Sequence, residues 1–195
     1  MIAYTINVAL RAESVSRVVV STDDEQIADI SKLYGAEVPF LRPNEISGDH
    51  SLITDAFKFT LDTLKIGGYI PEYIVYLYPT HLFRTPRLID FCVDKLINGH
   101  REFHTVKCVE HDSCSIFSKD KNNRLAPLFS VSAKNSVKQK FLRAYGTVLG
   151  SNPNGKMNTY MHIIDNPISL IDIDTPFDLS FAEEVIKNNL FDFGI

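Results

Sequence analysis

Apolar positions along the chain follow two alternating patterns. Short apolar runs bounded by polar or turn residues are typical of buried strands, and they occur at 18–21, 37–40, 73–78 and 169–173. Between the runs, apolar residues recur every three or four positions, which predicts helices at 2–12, 24–34, 52–65, 86–97 and beyond Pro176. Alternating strands and helices predict an α/β protein, a three-layer α/β/α fold with a mainly parallel sheet.

Polar residues mark several helix boundaries. Thr22 and Glu25 have the spacing of a capping box at the start of the second helix, and Gly35 is placed to end it. Thr85 precedes Pro86, which predicts an N-cap followed by a proline in the first turn. The inner face of the second helix is predicted to consist of its large apolar residues, Ile27, Ile30 and Tyr34.

The segment from about 100 to 165 is less regular. Residues 103–118 have the composition of strands, a polar turn follows at 119–124, and residues 125–160 show few clear periods. We interpret this segment as an irregular insertion carrying a hairpin. Since a domain averages roughly 150 residues, the 195 residues are predicted to form one domain, 1–195.

Composition removes several function classes. The chain has 20 basic and 24 acidic residues and a net charge of −4, so no basic excess is available for a nucleic-acid partner. No stretch approaches the roughly 18 apolar residues that span a membrane. The three cysteines, Cys92, Cys108 and Cys114, show no CxxC spacing, which argues against a disulfide scaffold or a zinc site and favours a reduced, cytoplasmic compartment.

Two acidic residues close the last apolar run. Asp172 and Asp174 are spaced i, i+2, so both carboxylates lie on one face if the segment is extended. Paired carboxylates repel one another unless a cation lies between them, and Mg²⁺ binds one or two carboxylates together with substrate phosphates. The alternative is structural: both acids can be stabilised by the dipole at the start of the following helix.

Polar residues also follow the other apolar runs, where ligands bind α/β sheets. Arg42 opens the loop after the second run, and its planar guanidinium can bind a nucleobase or a carboxylate, or stay solvated. Thr80, His81 and Arg84 follow the run at 73–78. Arg84 can meet an anionic substrate or be a solvated arginine, whereas His81 alone indicates no function.

Three blocks of sequence together resemble the cytidylyltransferases that activate nonulosonic acids. They are VVVSTDDEQIADISKLYGAEVPFLRPNEISGDHS (18–51), YLYPTHLFRT (76–85) and SLIDIDTPFDLSFAEEV (169–185). The Tyr-Pro-Thr form of the second block, with FSKDKNNRLAPLF at 117–129, is closer to the pseudaminic-acid branch than to the CMP-sialic acid branch. The resemblance implies a Rossmann-like sheet of the type found in nucleotide-diphospho-sugar transferases.

The resemblance also implies a reaction and its residues. The substrates would be CTP and an acidic nine-carbon sugar, the products a CMP-sugar and pyrophosphate, and the protein a homodimer with its contact in the 100–165 segment. By position, Asp172 and Asp174 resemble the catalytic pair that binds Mg²⁺, and Arg42 resembles a contact to the cytidine nucleotide. Thr80 and Arg84 lie on the loop that would meet the sugar. A hydroxyl expected near the base falls at Ile53, next to Thr54.

The sequence departs from the family at its start. Members begin with a strand and a glycine-rich basic loop of the form RxGSKxxxxKN, and residues Met1–Tyr4 resemble the segment that follows this loop. Three interpretations stay open: an active nucleotidyltransferase, an inactive member that binds or regulates, and a truncated gene product. We expect this chain to turn over CTP very poorly. Since the family's first strand lies between the runs at 18–21 and 73–78, we also expect these runs to pair directly, to borrow a strand, or to leave the fold weakly stable.

Overall fold

The computed structural model describes residues 1–48, 50–112, 117–121, 124–127 and 138–194. The α-helices of this part of the chain are α1 (Ile2–Leu10), α2 (Glu25–Leu33), α3 (Ile53–Ile66), α4 (Pro86–Ile97) and α5 (Pro176–Lys187). Its strands are β1 (Ile74–Tyr76), β2 (Glu102–Asp112), β3 (Phe117–Lys119), β4 (Leu125–Pro127), β5 (Lys138–Ser151) and β6 (Tyr160–Ile163). Across these ranges, no helix is long and apolar enough to cross a bilayer.

Four of the strands form one sheet in the order β1-β5-β2-β6. β5 pairs antiparallel with β1 and with β2, whereas β2 and β6 are parallel. The α/β class is as predicted, but the described sheet is mixed rather than mainly parallel. The segment 100–165, interpreted as an irregular insertion carrying a hairpin, contributes β5, β2 and β6 to this sheet and contains the antiparallel pair β3 and β4. Its residues 113–116, 122–123 and 128–137 lie outside the described ranges.

The strands that form are shorter than the apolar runs that predicted them. The runs at 18–21 and 37–40 meet in one parallel bridge between Val19 and Glu37, held by hydrogen bonds from Val20 N to Glu37 O (2.9 Å) and from Glu37 N to Val18 O (2.8 Å). The run at 73–78 is reduced to β1. The strand predicted at 169–173 is wrong, since a 3₁₀ turn occupies Ile168–Leu170 and the extended segment after it joins no named strand.

Helix α2 differs from its sequence prediction in its N-cap and in the face that is buried. Its N-cap is Asp24, whose side chain accepts a hydrogen bond from Ile27 N at 2.8 Å, so the capping box predicted at Thr22 is wrong. Gly35 ends the helix with φ +91°, as predicted. The large apolar side chains expected inside, Ile27, Ile30 and Tyr34, are between 41% and 50% exposed. Small residues, Ala28 and Ser31, are buried instead, because they allow the helix backbone to approach its neighbours.

Two clusters of buried side chains make the core. The first joins α1 and α4 to the sheet through residues such as Val8, Ile89, Leu96, Phe103 and Val148. The second packs the loop after β1 against the segment before α5, through Leu82, Phe83, Ile171, Ile173 and Val185. The second cluster brings two sequence blocks with candidate site residues into contact.

A cavity of about 710 Å³ lies between the Val18–Val20 run and β1. The run pairs with Glu37 on its other side, and β1 pairs with β5 on its other side. Residues of α1 and α3, including Ile6 and Phe57, also line the cavity. Direct pairing of the two runs, one of the three outcomes expected from the sequence, therefore does not occur. The two facing strand edges have no strand partner within the described residues.

Candidate active site

The loop after β1 meets the segment before α5 at one backbone hydrogen bond. Ile173 N donates to Thr80 O at 3.1 Å, and the second core cluster holds both segments from below. Ile171 and Ile173 are buried in that cluster, whereas Asp172 is half-buried and Asp174 is exposed. The alternation expected of an extended segment therefore holds although no strand forms, and both acids face away from the core.

The charges of Asp172 and Asp174 affect the pKa values of two neighbouring side chains, His81 and Tyr145. Asp172 Oδ2 lies 3.6 Å from His81 Nε2. Burial raises the pKa of Tyr145, and the negative charges of Asp172 and Asp174 raise it further. Burial lowers the pKa of His81, while the same two carboxylates oppose that shift. Asp172 therefore lies next to the His81 ring, and the alternation along the segment places Asp174 on the same side as Asp172.

The structural alternative for these acids is weakened by the start of α5. Thr175 and Asp178 form a full capping box there, with Thr175 N donating to Asp178 Oδ2 at 2.8 Å and Asp178 N donating to Thr175 Oγ1 at 3.3 Å. The hydrogen bond that the Thr175 hydroxyl donates to Asp178 Oδ2 (2.7 Å), together with the one from Thr175 N, holds the pKa of Asp178 below its usual value. The capping groups of α5 are therefore Thr175 and Asp178, and neither Asp172 nor Asp174 is needed as a cap.

The fit of this pair to a cation can be judged from its oxygen atoms. Asp172 Oδ1 is buried and has no hydrogen-bond partner among the described groups. An orphaned carboxylate oxygen beside a second carboxylate is a suitable ligand for Mg²⁺, which completes its shell with water and substrate phosphates. Within the described ranges, no group of three or more His, Cys, Asp and Glu side chains is placed to hold a metal ion. A metal ion held by this pair would therefore take its remaining ligands from water and substrate.

Arg84 is buried under the loop, with 1% of its surface exposed. One terminal nitrogen donates hydrogen bonds to the backbone oxygens of Tyr78 and His81. Nε and the other terminal nitrogen have no partner among the described groups, and burial lowers the pKa of the guanidinium. The solvated arginine considered from the sequence is therefore wrong; a contact between Arg84 and substrate stays a prediction. Thr85 caps α4 as predicted, accepting from Leu88 N.

Arg42 is held at the mouth of the cavity. Its Nη2 donates to Asp23 Oδ1 at 2.8 Å and its Nε to Ser47 Oγ at 2.9 Å. Arg42, Tyr78 and Pro79 line the same cavity, so the residue predicted to contact a nucleotide and the start of the Thr80 loop open onto one space. Its salt bridge with Asp23 leaves the arginine oriented before any ligand arrives.

Sequence reasoning missed His81 as a site residue. The residue is only 6% exposed, and its ring lies 4.9 Å from that of Tyr145 and 6.2 Å from that of Tyr78, measured between centroids. Tyr145 comes from β5, in the segment interpreted as an insertion. The sequence signal for this residue was its place in the loop directly after the apolar run at 73–78. A functional role is indicated only by its contact with Asp172 in the folded structure.

The whole chain matches one protein family. Residues 1–194 match the profile of the family described as Cytidylyltransferase. This chain belongs to the cytidylyltransferase family. That membership confirms the resemblance inferred from the three sequence blocks, and this cytidylyltransferase has its Asp172–Asp174 pair inside the last of those blocks.

Two curated proteins are similar to this chain over most of its length. The CMP-N,N'-diacetyllegionaminic acid synthase of Legionella pneumophila is 31% identical over 218 residues, covering 97% of this chain and 86% of that protein. The pseudaminic acid cytidylyltransferase of Campylobacter jejuni is 27% identical over 201 residues, with the same shares covered. Among solved structures, CMP:2-keto-3-deoxy-manno-octonic acid synthetase complexed with CTP superposes with a TM-score of 0.64 at 13% identity, covering 95% of this chain and 87% of that one. The last likeness confirms the fold.

Proposed function

We propose that this cytidylyltransferase joins CMP from CTP to an acidic nine-carbon sugar of the legionaminic or pseudaminic type. Family membership over residues 1–194 supports the transferase chemistry, and the names of the two relatives support the class of sugar. The observation that carries the proposal to particular atoms is the Asp172–Asp174 pair, which lies on the side of its segment away from the core, with Asp172 next to His81.

The proposed reaction is a single displacement at phosphorus. A hydroxyl oxygen of the sugar forms a bond to the α-phosphorus of CTP, the bond from that phosphorus to the bridging oxygen breaks, and pyrophosphate leaves. The proton of the hydroxyl passes to solvent. Positioning and electrostatic stabilisation dominate such chemistry, so no covalent protein residue is required.

Each candidate residue has a part in that positioning. Asp172 and Asp174 would hold Mg²⁺, which supplies positive charge at the transferred phosphate when bound. Arg42, already oriented by Asp23, would contact the cytidine nucleotide. Thr80 and Arg84 would form the sugar side of the site, with Arg84 holding the backbone of the loop through Tyr78 and His81.

A homodimer is part of this proposal. β6 is the outer strand of the sheet, and its Met161 and Ile163 are exposed. An exposed apolar strand edge is a common contact surface, and it lies in the 100–165 segment where the family resemblance implies the contact. Sedimentation equilibrium of the wild type and of a Met161→Lys, Ile163→Lys variant tests it, since the variant should shift toward monomer.

An end-point assay tests the activity even if turnover is slow. Enzyme at a concentration close to that of the substrates is incubated with CTP, Mg²⁺ and, separately, N,N'-diacetyllegionaminic, pseudaminic or N-acetylneuraminic acid. Mass spectrometry should detect the CMP adduct of at least one sugar, and Asp174→Asn should abolish it. If no adduct forms with any sugar while CTP still binds, the proposed transfer is wrong and the non-catalytic binding alternative is favoured.

A further inference from the structure

We propose that His81 is a positioning residue that orients Asp172 toward a cation shared with Asp174, in a space that exists because residue 146 is glycine. The inference rests on the proposed function, in which these two acids bind the metal. It concerns the contact between His81 and Asp172, and none of the residue roles proposed above involves His81.

The two nitrogen atoms of the His81 ring have different surroundings. Nε2 faces Asp172 Oδ2 at 3.6 Å, which is longer than a hydrogen bond. Nδ1 is buried with no partner among the described groups. In the absence of ligand, hydrogen bonds of active-site groups are often long and tighten only when the substrate complex forms. The ring is therefore placed to restrain Asp172 and to close on it.

Gly146 of β5 makes this position available. A Cβ atom built at residue 146 would lie 2.5 Å from His81 Nε2 and 2.6 Å from Tyr78 Cδ2. Atoms at these distances overlap, so any other residue at 146 would push the imidazole away from its place beside Asp172. The backbone φ of Gly146 is not in the left-handed region, and the requirement is therefore one of space alone.

The loop backbone supports the same position. Arg84 donates hydrogen bonds to the carbonyl oxygens of Tyr78 and His81, while Ile173 N binds the carbonyl oxygen of Thr80. The carbonyl groups of Tyr78, Thr80 and His81 are therefore all hydrogen-bonded. With its backbone fixed and its ring packed against Tyr145, the histidine can hold Asp172 in one orientation at little further entropic cost.

The consequence follows from the repulsion between two carboxylates. Without a restraint, Asp172 relieves that repulsion by turning toward solvent, away from Asp174. A group that holds a ligating carboxylate in place preorganises the metal site, and loss of such groups typically weakens metal binding by about 10–100-fold. We expect His81→Leu, which keeps an apolar ring-sized volume but removes both nitrogens, to weaken Mn²⁺ binding by about 10-fold or more.

The experiment is a Mn²⁺ titration of the full chain, followed by electron paramagnetic resonance of the free ion. His81→Leu and Gly146→Ala should both weaken binding, the second because it displaces the imidazole. His81→Gln keeps an N–H donor near the position of Nε2 and should retain most of the affinity. Gly150→Ala is the matched control: it lies on the same strand, and its Cβ would meet Cys92 Sγ at 2.6 Å in the first core cluster, so it should lower Tm without changing the Mn²⁺ Kd.

The outcomes distinguish the role of His81 from the existence of the metal site. If Asp174→Asn weakens Mn²⁺ binding but His81→Leu does not, the role of His81 is wrong and the metal site stands. If Gly150→Ala weakens binding as much as Gly146→Ala, the effect is general destabilisation and the role of His81 is again wrong. If Asp174→Asn has no effect on Mn²⁺ binding, the metal site itself is wrong, and the inference falls with it.

Discussion

The backbone N–H of Ile173 donates a hydrogen bond to the carbonyl oxygen of Thr80 at 3.1 Å. This bond joins the loop after β1 to the segment that carries both acids. On one side of it the side chain of Ile173 enters the core, and on the other side Asp172 lies next to His81 while Asp174 is exposed. The proposed active site is therefore assembled on a backbone hydrogen bond above a packed apolar cluster.

Thr175→Ala should destabilise the fold by about 0.5–2 kcal/mol, the usual effect of losing an N-cap side chain. Thr175 Oγ1 accepts from Asp178 N, and its loss leaves the first turn of α5 without that bond. Urea unfolding measures the change, with Thr175→Ser as the control that keeps the hydroxyl. Equal stability of Thr175→Ala and wild type would contradict the capping box.

The same capping box predicts a dependence on acid pH. Its hydrogen bonds hold the pKa of Asp178 below the usual value, so the folded state favours the ionised form. This contribution is fully present above the unfolded pKa, near 3.8, and is lost as the pH falls through the lower folded pKa. Asp178→Asn should flatten the acid limb of a plot of stability against pH; an unchanged limb would contradict the assignment.

The cavity between the Val18–Val20 run and β1 predicts an unusual tolerance of larger side chains. Ala56 lines the cavity and is buried, so Ala56→Leu can place its added atoms in open space. Ala182 is also buried, on α5 in the second core cluster, but lies outside that lining, and Ala182→Leu should cost about 1–3 kcal/mol through overpacking. Urea unfolding of both variants tests the difference, and an equal loss in the two would mean that the space is not available to side chains.

Two cysteines should differ sharply in reactivity. Cys92 is fully buried in the first core cluster, and burial raises the pKa of its thiol to about 12, so almost no thiolate exists at neutral pH. Cys108 is exposed. Labelling with a thiol reagent, read by peptide mass mapping, should modify Cys108 in the native protein and Cys92 only after unfolding. Rapid labelling of Cys92 in the native state would contradict the packing of α4 on the sheet. Cys114 lies outside the described residues.

Local sequence signals predicted the features that depend on neighbours along the chain. The cap at Thr85 and the left-handed Gly35 follow from short-range rules. The orientation of Asp172 and Asp174 followed from their spacing, although the segment is extended without being a strand. β5 was missed because its 14 residues, KQKFLRAYGTVLGS, mix charged and apolar side chains in an order that no simple period describes.

The features that sequence could not supply arise from contacts between distant segments. Periodicity identified α2 but could not tell which face packs inward, because the helix is held through Ala28 and Ser31 rather than through its large side chains. Arg84 looked like a surface residue until the structure placed it beneath two loop carbonyls. The meaning of His81 depends on Asp172 and Gly146, which lie in two other segments of the chain.

The location of a divalent metal in a complex with CTP tests the central claim most directly. Crystals of the protein grown with Mn²⁺ and CTP would be measured for the anomalous signal of manganese. The account predicts a peak within about 2.0–2.2 Å of carboxylate oxygens of both Asp172 and Asp174, the range expected for a small divalent ion on oxygen ligands, and in contact with a phosphate oxygen of the nucleotide. A manganese ion bound to the nucleotide alone, with neither aspartate among its ligands, would contradict it.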